Sequence, residues 1–132
     1  MKTIKLKQHK DQRGWLVELF VNELGKGQVY LFTINPAYVR GNHYHKRKYE
    51  YFVILEGKVK VGLKNMKTGK KETRIFDADK AISRIYVGSN TLHAFKNVGK
   101  KRATVVAFVN EKENPKNPDD YWPPDSQKLL LD

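Results

Sequence analysis

The chain has 132 residues, 39% of them apolar and 30% charged, a balance that suits one domain around one core and excludes fibrous or disordered classes. Its 26 Lys+Arg against 14 Asp+Glu give a net charge of +12, which favours anionic ligands, phosphorylated small molecules among them. With no cysteine, disulfides and Cys-based zinc sites are excluded, and without a signal-peptide core or membrane-length apolar stretch the expectation is a cytoplasmic protein away from membranes.

From the N-terminus onward, apolar and polar residues alternate with period two in runs at 2–7, 15–21, 28–34, 38–45, 49–56, 58–64, 72–76, 81–87, 92–98 and 103–110. In the clearest run Val59, Val61 and Leu63 face inward, while Lys58, Lys60 and Lys64 face water. Turn signals separate the runs, among them Arg13-Gly14, Asn35-Pro36, Glu56-Gly57 and Lys67-Thr68-Gly69. Along 49–55, Tyr49, Tyr51, Val53 and Leu55 make a second apolar face opposite Glu50, which predicts burial against a partner sheet and hence a homodimer. About ten antiparallel strands predict an all-β jelly-roll barrel, with residues 1–132 as one domain. Residues 111–132 are too proline-rich for a strand and are expected to wrap as an ordered, irregular tail. Tyr121 and Trp122 would seek burial there, and a single helical turn is expected at 126–131.

Three of the four histidines fall into one pattern with a carboxylate. His43 and His45 are two apart, so on a strand both project from one face. Glu50 opens the next strand on the face of Phe52 and Ile54, where a carboxylate is costly without a cation or hydrogen bonds. His93 lies on a late strand with Phe95 and Asn97. These nitrogens and one oxygen suit a divalent transition metal: zinc first, with iron, nickel or manganese as alternatives. His9, among lysines, is read as an ordinary surface residue. The basic residues are scattered and no aromatic–basic reading motif accompanies them, so nucleic acid is not expected as a partner.

The run His43-x-His45-x4-Glu50-x6-Gly57 resembles the first cupin motif, and His93-x3-Asn97 the end of the second. The turn before His93 departs from the family's usual Pro-x-Gly. It reads Gly88-Ser89-Asn90, and Asn90 can take the left-handed conformation that such a turn needs. Further stretches, Asp11-Gln12-Arg13-Gly14, Gly27-Gln28-Val29, Arg40-Gly41-Asn42 and Asn117-Pro118-Asp119-Asp120-Tyr121, resemble cupins that modify nucleotide sugars. These include dTDP-4-keto-6-deoxyhexose epimerases and ketoisomerases, and above all the C-terminal cupin of capsular polysaccharide reductase–epimerases.

That resemblance implies a 4-keto-6-deoxy nucleotide sugar and proton abstraction beside its C4 ketone, which needs a base and an electrophile. In metal-free relatives the residue matching His43 is the base, so either a metal polarises the ketone while another group moves the proton, or His43 acts without it. His43 and His45, with Tyr30, Tyr44 and Tyr49 for the return proton, are the catalytic candidates. Arg13, Arg40 and Lys48 are candidates for the diphosphate, since guanidinium forks suit phosphate. Gln28 and Asn97 join them as substrate-binding candidates from the matching stretches. The same four ligands would serve a cupin dioxygenase, and the scaffold also hosts non-catalytic sugar-nucleotide binders; both stand as alternatives.

Overall fold

Alternation of apolar and polar side chains becomes strand structure wherever one face can be buried. A computed structural model describes residues 1–21, 23 and 25–123; the turn expected at 126–131 lies outside them. The described strands are β1 (Lys2–Lys5), β2 (Gln8–Asp11), β3 (Gly14–Val17), β4 (Gln28–Ile34), β5 (Val39–His43), β6 (Glu50–Glu56), β7 (Lys58–Asn65), β8 (Lys71–Asp77), β9 (Ser83–Val87), β10 (Thr91–Asn97) and β11 (Ala103–Val109). They form a sheet of order β1-β9-β6-β11-β4, a facing sheet of order β5-β10-β7-β8, and a β2-β3 hairpin. Every strand pairing is antiparallel, so the expected cupin-type jelly roll is what the chain forms. No helix of the described residues is long and apolar enough to cross a membrane.

The core lies between the two sheets. Phe52 and Ile54 of β6, Ile85 of β9 and Val105 of β11 meet Val59 and Val61 of β7 and Phe95 of β10, all at most 2% exposed. Each such side chain stabilises the fold by about 1.5–3 kcal/mol relative to its exposed state. Glu50 shares the inward face of Phe52 and Ile54, as the two-residue period requires.

The outer face of the five-stranded sheet is covered in part by the chain itself. After β3, where the alternation at 15–21 had suggested a longer strand, the segment leaves the hairpin and drapes across this face. Phe20 packs on Phe108, with ring centroids 6.1 Å apart, and Arg84 donates to the Leu19 carbonyl and pairs with Glu23. Val53, expected to need a partner sheet, is fully buried within one chain.

Candidate active site

Strand parity builds the site at one end of the barrel. β5 ends on His43, and His45 follows two residues later on the same face. His93 stands directly opposite His43 in the β5–β10 register, while Glu50 enters from the first residue of β6 in the other sheet. One ring nitrogen from each of His43, His45 and His93 lies within 4.8 Å of the others. The His43 ring centroid is 4.7 Å from that of His93 and 5.1 Å from that of His45. His45, Glu50 and His93 are 4%, 3% and 1% exposed, so whatever balances their polarity has to come from within the cluster.

Hydrogen bonds settle which nitrogen of two rings carries the proton. His45 Nδ1 donates to the Asp119 carbonyl at 2.9 Å, and His93 Nδ1 donates to the Thr91 carbonyl at 3.0 Å. A carbonyl oxygen only accepts, so both Nδ1 atoms are protonated and both Nε2 atoms are left to interact inside the site. Those Nε2 atoms face Glu50 Oε2 at 3.4 and 3.2 Å. Yet His45 Nε2 and Glu50 Oε2 have no hydrogen-bond partner of proper geometry among the described residues. Lone pairs converging on a carboxylate are satisfied by a cation among them, either a proton or a metal ion. The donor set of imidazole nitrogen plus one carboxylate therefore fits a divalent transition metal.

Burial and neighbouring histidines push the His43 pKa down to about 4, so its ring is neutral near pH 7. At His45 burial acts to lower the value, but the close approach and charge of the Glu50 carboxylate outweigh it and raise it. Burial likewise acts to raise the Glu50 carboxyl, and the closeness of His45 and His93 prevails, holding it well below the usual carboxylate range. Tyr30 donates its O–H to Glu50 Oε1 at 2.9 Å. Burial, with the Glu50 charge, pushes the phenol far up, so it stays protonated.

Beside the cluster opens a cavity of about 440 Å³ walled by Tyr30, Phe32, Arg40, His43, His93 and Phe95, among others. It is an apolar slot with a neutral imidazole, a phenol and a guanidinium at its edges. A larger groove of about 620 Å³ crosses the far end of the barrel near Lys10, Lys58 and Lys101 and contains none of the histidines.

Of the expected site residues, the fold brings together His43, His45, Glu50, His93, Tyr30 and Arg40. Arg40 is held by its Nε, which donates to the Thr33 carbonyl at 2.7 Å. Gln28 lies one inward-facing position from Tyr30 on β4 and accepts from the Glu113 amide. The others are placed elsewhere. Arg13 sits on the β2–β3 turn with its guanidinium on Asp11. Lys48 is buried against Glu113 at 3.1 Å. Asn97 lies at the opposite end of β10, donating to the Ile34 and Lys101 carbonyls and accepting from the Gly99 amide. Tyr44 stacks on Tyr121, and Tyr49 packs with Tyr51 and Tyr86 on the outer face.

Sequence reasoning gave no role to Asp119, Asp120 or Trp122, although an acidic doublet behind Asn-Pro in so basic a chain was a visible signal. Trp122, expected to seek burial, is 60% exposed with its ring edge-on to His43, centroids 5.6 Å apart.

Residues 9–121 match the model of the polysaccharide biosynthesis C-terminal domain. UDP-2-acetamido-2,6-beta-L-arabino-hexul-4-ose reductase of Pseudomonas aeruginosa is 34% identical over 113 residues, 86% of this chain and 30% of the reductase. Among solved structures, the capsular polysaccharide assembling protein CapF of Staphylococcus aureus superposes with a TM-score of 0.69 at 26% identity, over 89% of this chain and 34% of CapF. The dTDP-6-deoxy-D-glucose-3,5-epimerase RmlC of Legionella pneumophila, solved with dTDP-4-keto-L-rhamnose, gives a TM-score of 0.80 at 15% identity. That likeness, over 98% of this chain and 76% of RmlC, is one of fold. The chain thus spans about a third of the length of the reductase and of CapF.

Proposed function

We propose a function from one fact: this chain belongs to the polysaccharide biosynthesis C-terminal domain family. It acts as an isomerase-type enzyme on a 4-keto-6-deoxy nucleotide sugar, moving a proton at the carbon beside the ketone, by epimerisation or ketoisomerisation. The observation that carries this reading is the cavity edge, where a neutral His43 and a protonated Tyr30 flank one apolar slot. Proton transfer next to a ketone needs both a lone pair to take the proton and a donor for the oxygen on which charge develops.

In this reading His43 takes the proton. It is the least enclosed of the three histidines of the cluster, and among the described residues no backbone carbonyl holds either of its ring nitrogens as carbonyls hold those of His45 and His93. Tyr30 lines the slot with its O–H donated to Glu50 Oε1 and would turn that proton from the carboxylate to the developing oxyanion, and Arg40 at the rim offers a fork for the diphosphate. Phe32, Phe52 and Phe95 exclude water from the sugar ring. A divalent metal would be held by His45 and His93, which cluster with His43, and by Glu50, whose Oε2 faces both Nε2 atoms, and would supply positive charge to a polarised ketone oxygen.

The test is deuterium exchange. Purified protein is incubated with a dTDP- or UDP-linked 4-keto-6-deoxy sugar in deuterated water and followed by proton NMR. The C3 proton is expected to wash out with wild type and to persist with His43→Ala. No exchange with either nucleotide overturns the reading in favour of a binding module, whereas oxygen consumption would favour the dioxygenase alternative. A homodimer is part of the same proposal. Val29 and Leu31 on β4 are 54% and 60% exposed and continue the outer sheet face, and a monomer mass by light scattering at all concentrations would remove it.

A further inference from the structure

Six consecutive residues, His43 to Lys48, each touch the segment at 111–122. His43 has the Trp122 ring against its own. Tyr44 and Tyr121 exchange both backbone hydrogen bonds at 3.0 Å and stack their rings. The Lys46 ammonium lies 4.3 Å from the Tyr121 ring centroid. Arg47 donates to Glu111 and to the Asn117 carbonyl, and Lys48 to Glu113. His45 Nδ1, already donating to the Asp119 carbonyl, is 3.0 Å from Asp120 Oδ1.

One residue docks this segment. The Asp119 carboxylate is completely buried and accepts the backbone N–H groups of Lys46, Arg47 and Lys48 at 3.0, 2.9 and 3.0 Å. Three converging amides fix both position and rotation of the carboxylate, and with it the next residue along. Asp120 is thereby held against His45 without taking part in the docking itself.

We propose that residues 111–122 are a strap belonging to the active site, and that Asp120 is the positioning residue of His45. Its carboxylate lies 3.0 Å from Nδ1, beside the hydrogen bond that Nδ1 gives to the Asp119 carbonyl; from there its charge keeps the ring from turning and aims Nε2 at Glu50. A carboxylate behind a ligating imidazole also raises the electron density offered by the other nitrogen, and loss of such a partner commonly costs 10- to 100-fold in metal affinity. This rests on the metal reading above for its affinity and on the His45 geometry alone for its orientation.

The two acidic residues separate docking from aiming, so the full chain is tested as wild type, Asp120→Ala and Asp120→Asn. Zinc affinity is measured by chelator competition, melting of the metal-free protein by calorimetry, and the His45 ring by 15N–1H NMR. Asp120→Ala is expected to weaken zinc by about 10- to 100-fold and to shift the His45 Nδ1 and Hδ1 signals, the Asp119 carbonyl still holding the Nδ1–H tautomer but without the carboxylate charge beside it. The metal-free melting midpoint is expected to hold, because Asp119 keeps the strap docked. Asp120→Asn, whose amide oxygen still accepts, should fall between wild type and alanine. Unchanged zinc affinity together with an unchanged His45 spectrum overturns the proposal, as does a melting loss in both variants that accounts for the affinity change. Should wild type bind no zinc, the metal reading fails separately. The His45 spectrum then decides alone: a shift in Asp120→Ala supports the strap, and none overturns it.

Discussion

Replacing Gly41 by alanine probes the joint between β5 and β10 that sets His43 opposite His93. Gly41 has φ +92°, and an added Cβ would lie 2.7 Å from the His93 carbonyl oxygen and 3.3 Å from Ala94 Cα. Both neighbours are backbone, in the stretch where the register shifts between His93 and Ala94, so neither can swing aside. Relief requires β5 to move outward by several tenths of an ångström. A side chain at such a φ costs about 1–3 kcal/mol, and the overpacked contact about 1–3 kcal/mol more, for a total near 2–6 kcal/mol. Gly69 is the control, for its φ is +77° and a Cβ there meets nothing within 4 Å, so Gly69→Ala carries backbone strain alone. Urea unfolding of both variants gives the comparison. With a slope of about 1–3 kcal/mol per molar, the extra steric cost of about 1–3 kcal/mol should lower the Gly41→Ala midpoint by about 0.3–3 M beyond Gly69→Ala. It should also weaken metal binding, which Gly69→Ala should not. Equal midpoints for the two variants would refute the steric argument.

Three further outcomes follow from the same geometry. Asp119→Ala leaves three amides without their acceptor and, with two of the loop's side chains exposed and their amides open to rehydration, should cost about 2–4 kcal/mol by calorimetry; a loss below about 0.5 kcal/mol would contradict the docking role. His43→Ala should retain metal, by elemental analysis, while abolishing deuterium exchange. Glu50→Ala should lose the metal, and the reverse pattern would make His43 a ligand rather than the proton carrier. For metal-free protein, His43 at about 4 in the fold and about 6.5 unfolded means that the unfolded chain binds the extra proton between those values. Stability should therefore fall as pH drops from about 6.5 to about 4, with at most about 3 kcal/mol from His43, and this contribution should vanish in His43→Gln, leaving the acid loss due to carboxylates such as Glu50. His45, raised in the fold, works oppositely: its stabilisation is present below the unfolded value and is lost as pH rises through the folded one. An identical acid slope in wild type and His43→Gln would refute the His43 assignment.

What was legible before the structure was whatever rests on parity and local turn chemistry. His43 and His45 share a face, Glu50 shares that of Phe52 and Ile54, and Val59, Val61 and Leu63 point inward, because the side chains of a regular strand alternate between its two faces. Asn90, expected to turn left-handed before β10, has φ 55°. Parity also held information that a list of tyrosines ignores: Tyr49 precedes an inward Glu50 and so must face outward. Charge was a poor guide to position. Arg13 meets its partner two residues away, and Lys48 spends its ammonium on Glu113, neither of which a pattern of basic residues can reveal. The turn at Arg13-Gly14 and an ordered wrapping tail were legible, but the strand β2, the early end of β3 and the contacts of the strap were not. The alternation runs on past β3, and the strap is held by backbone amides contributed from far away, which leave no periodic trace.

The sequence distance across that strap bears on how an active molecule comes into being. His45 and the Asp119 carbonyl that fixes its ring are 74 residues apart in the chain, and loops of that span close late in folding. During synthesis at about 5–20 residues per second, His45 emerges seconds before the residue that orients it, whereas His93 is oriented by the Thr91 carbonyl just before it. The barrel strands can pair in that interval, but the His45 ring stays unaimed until the strap arrives. The cluster with all its rings oriented is therefore a late product of folding.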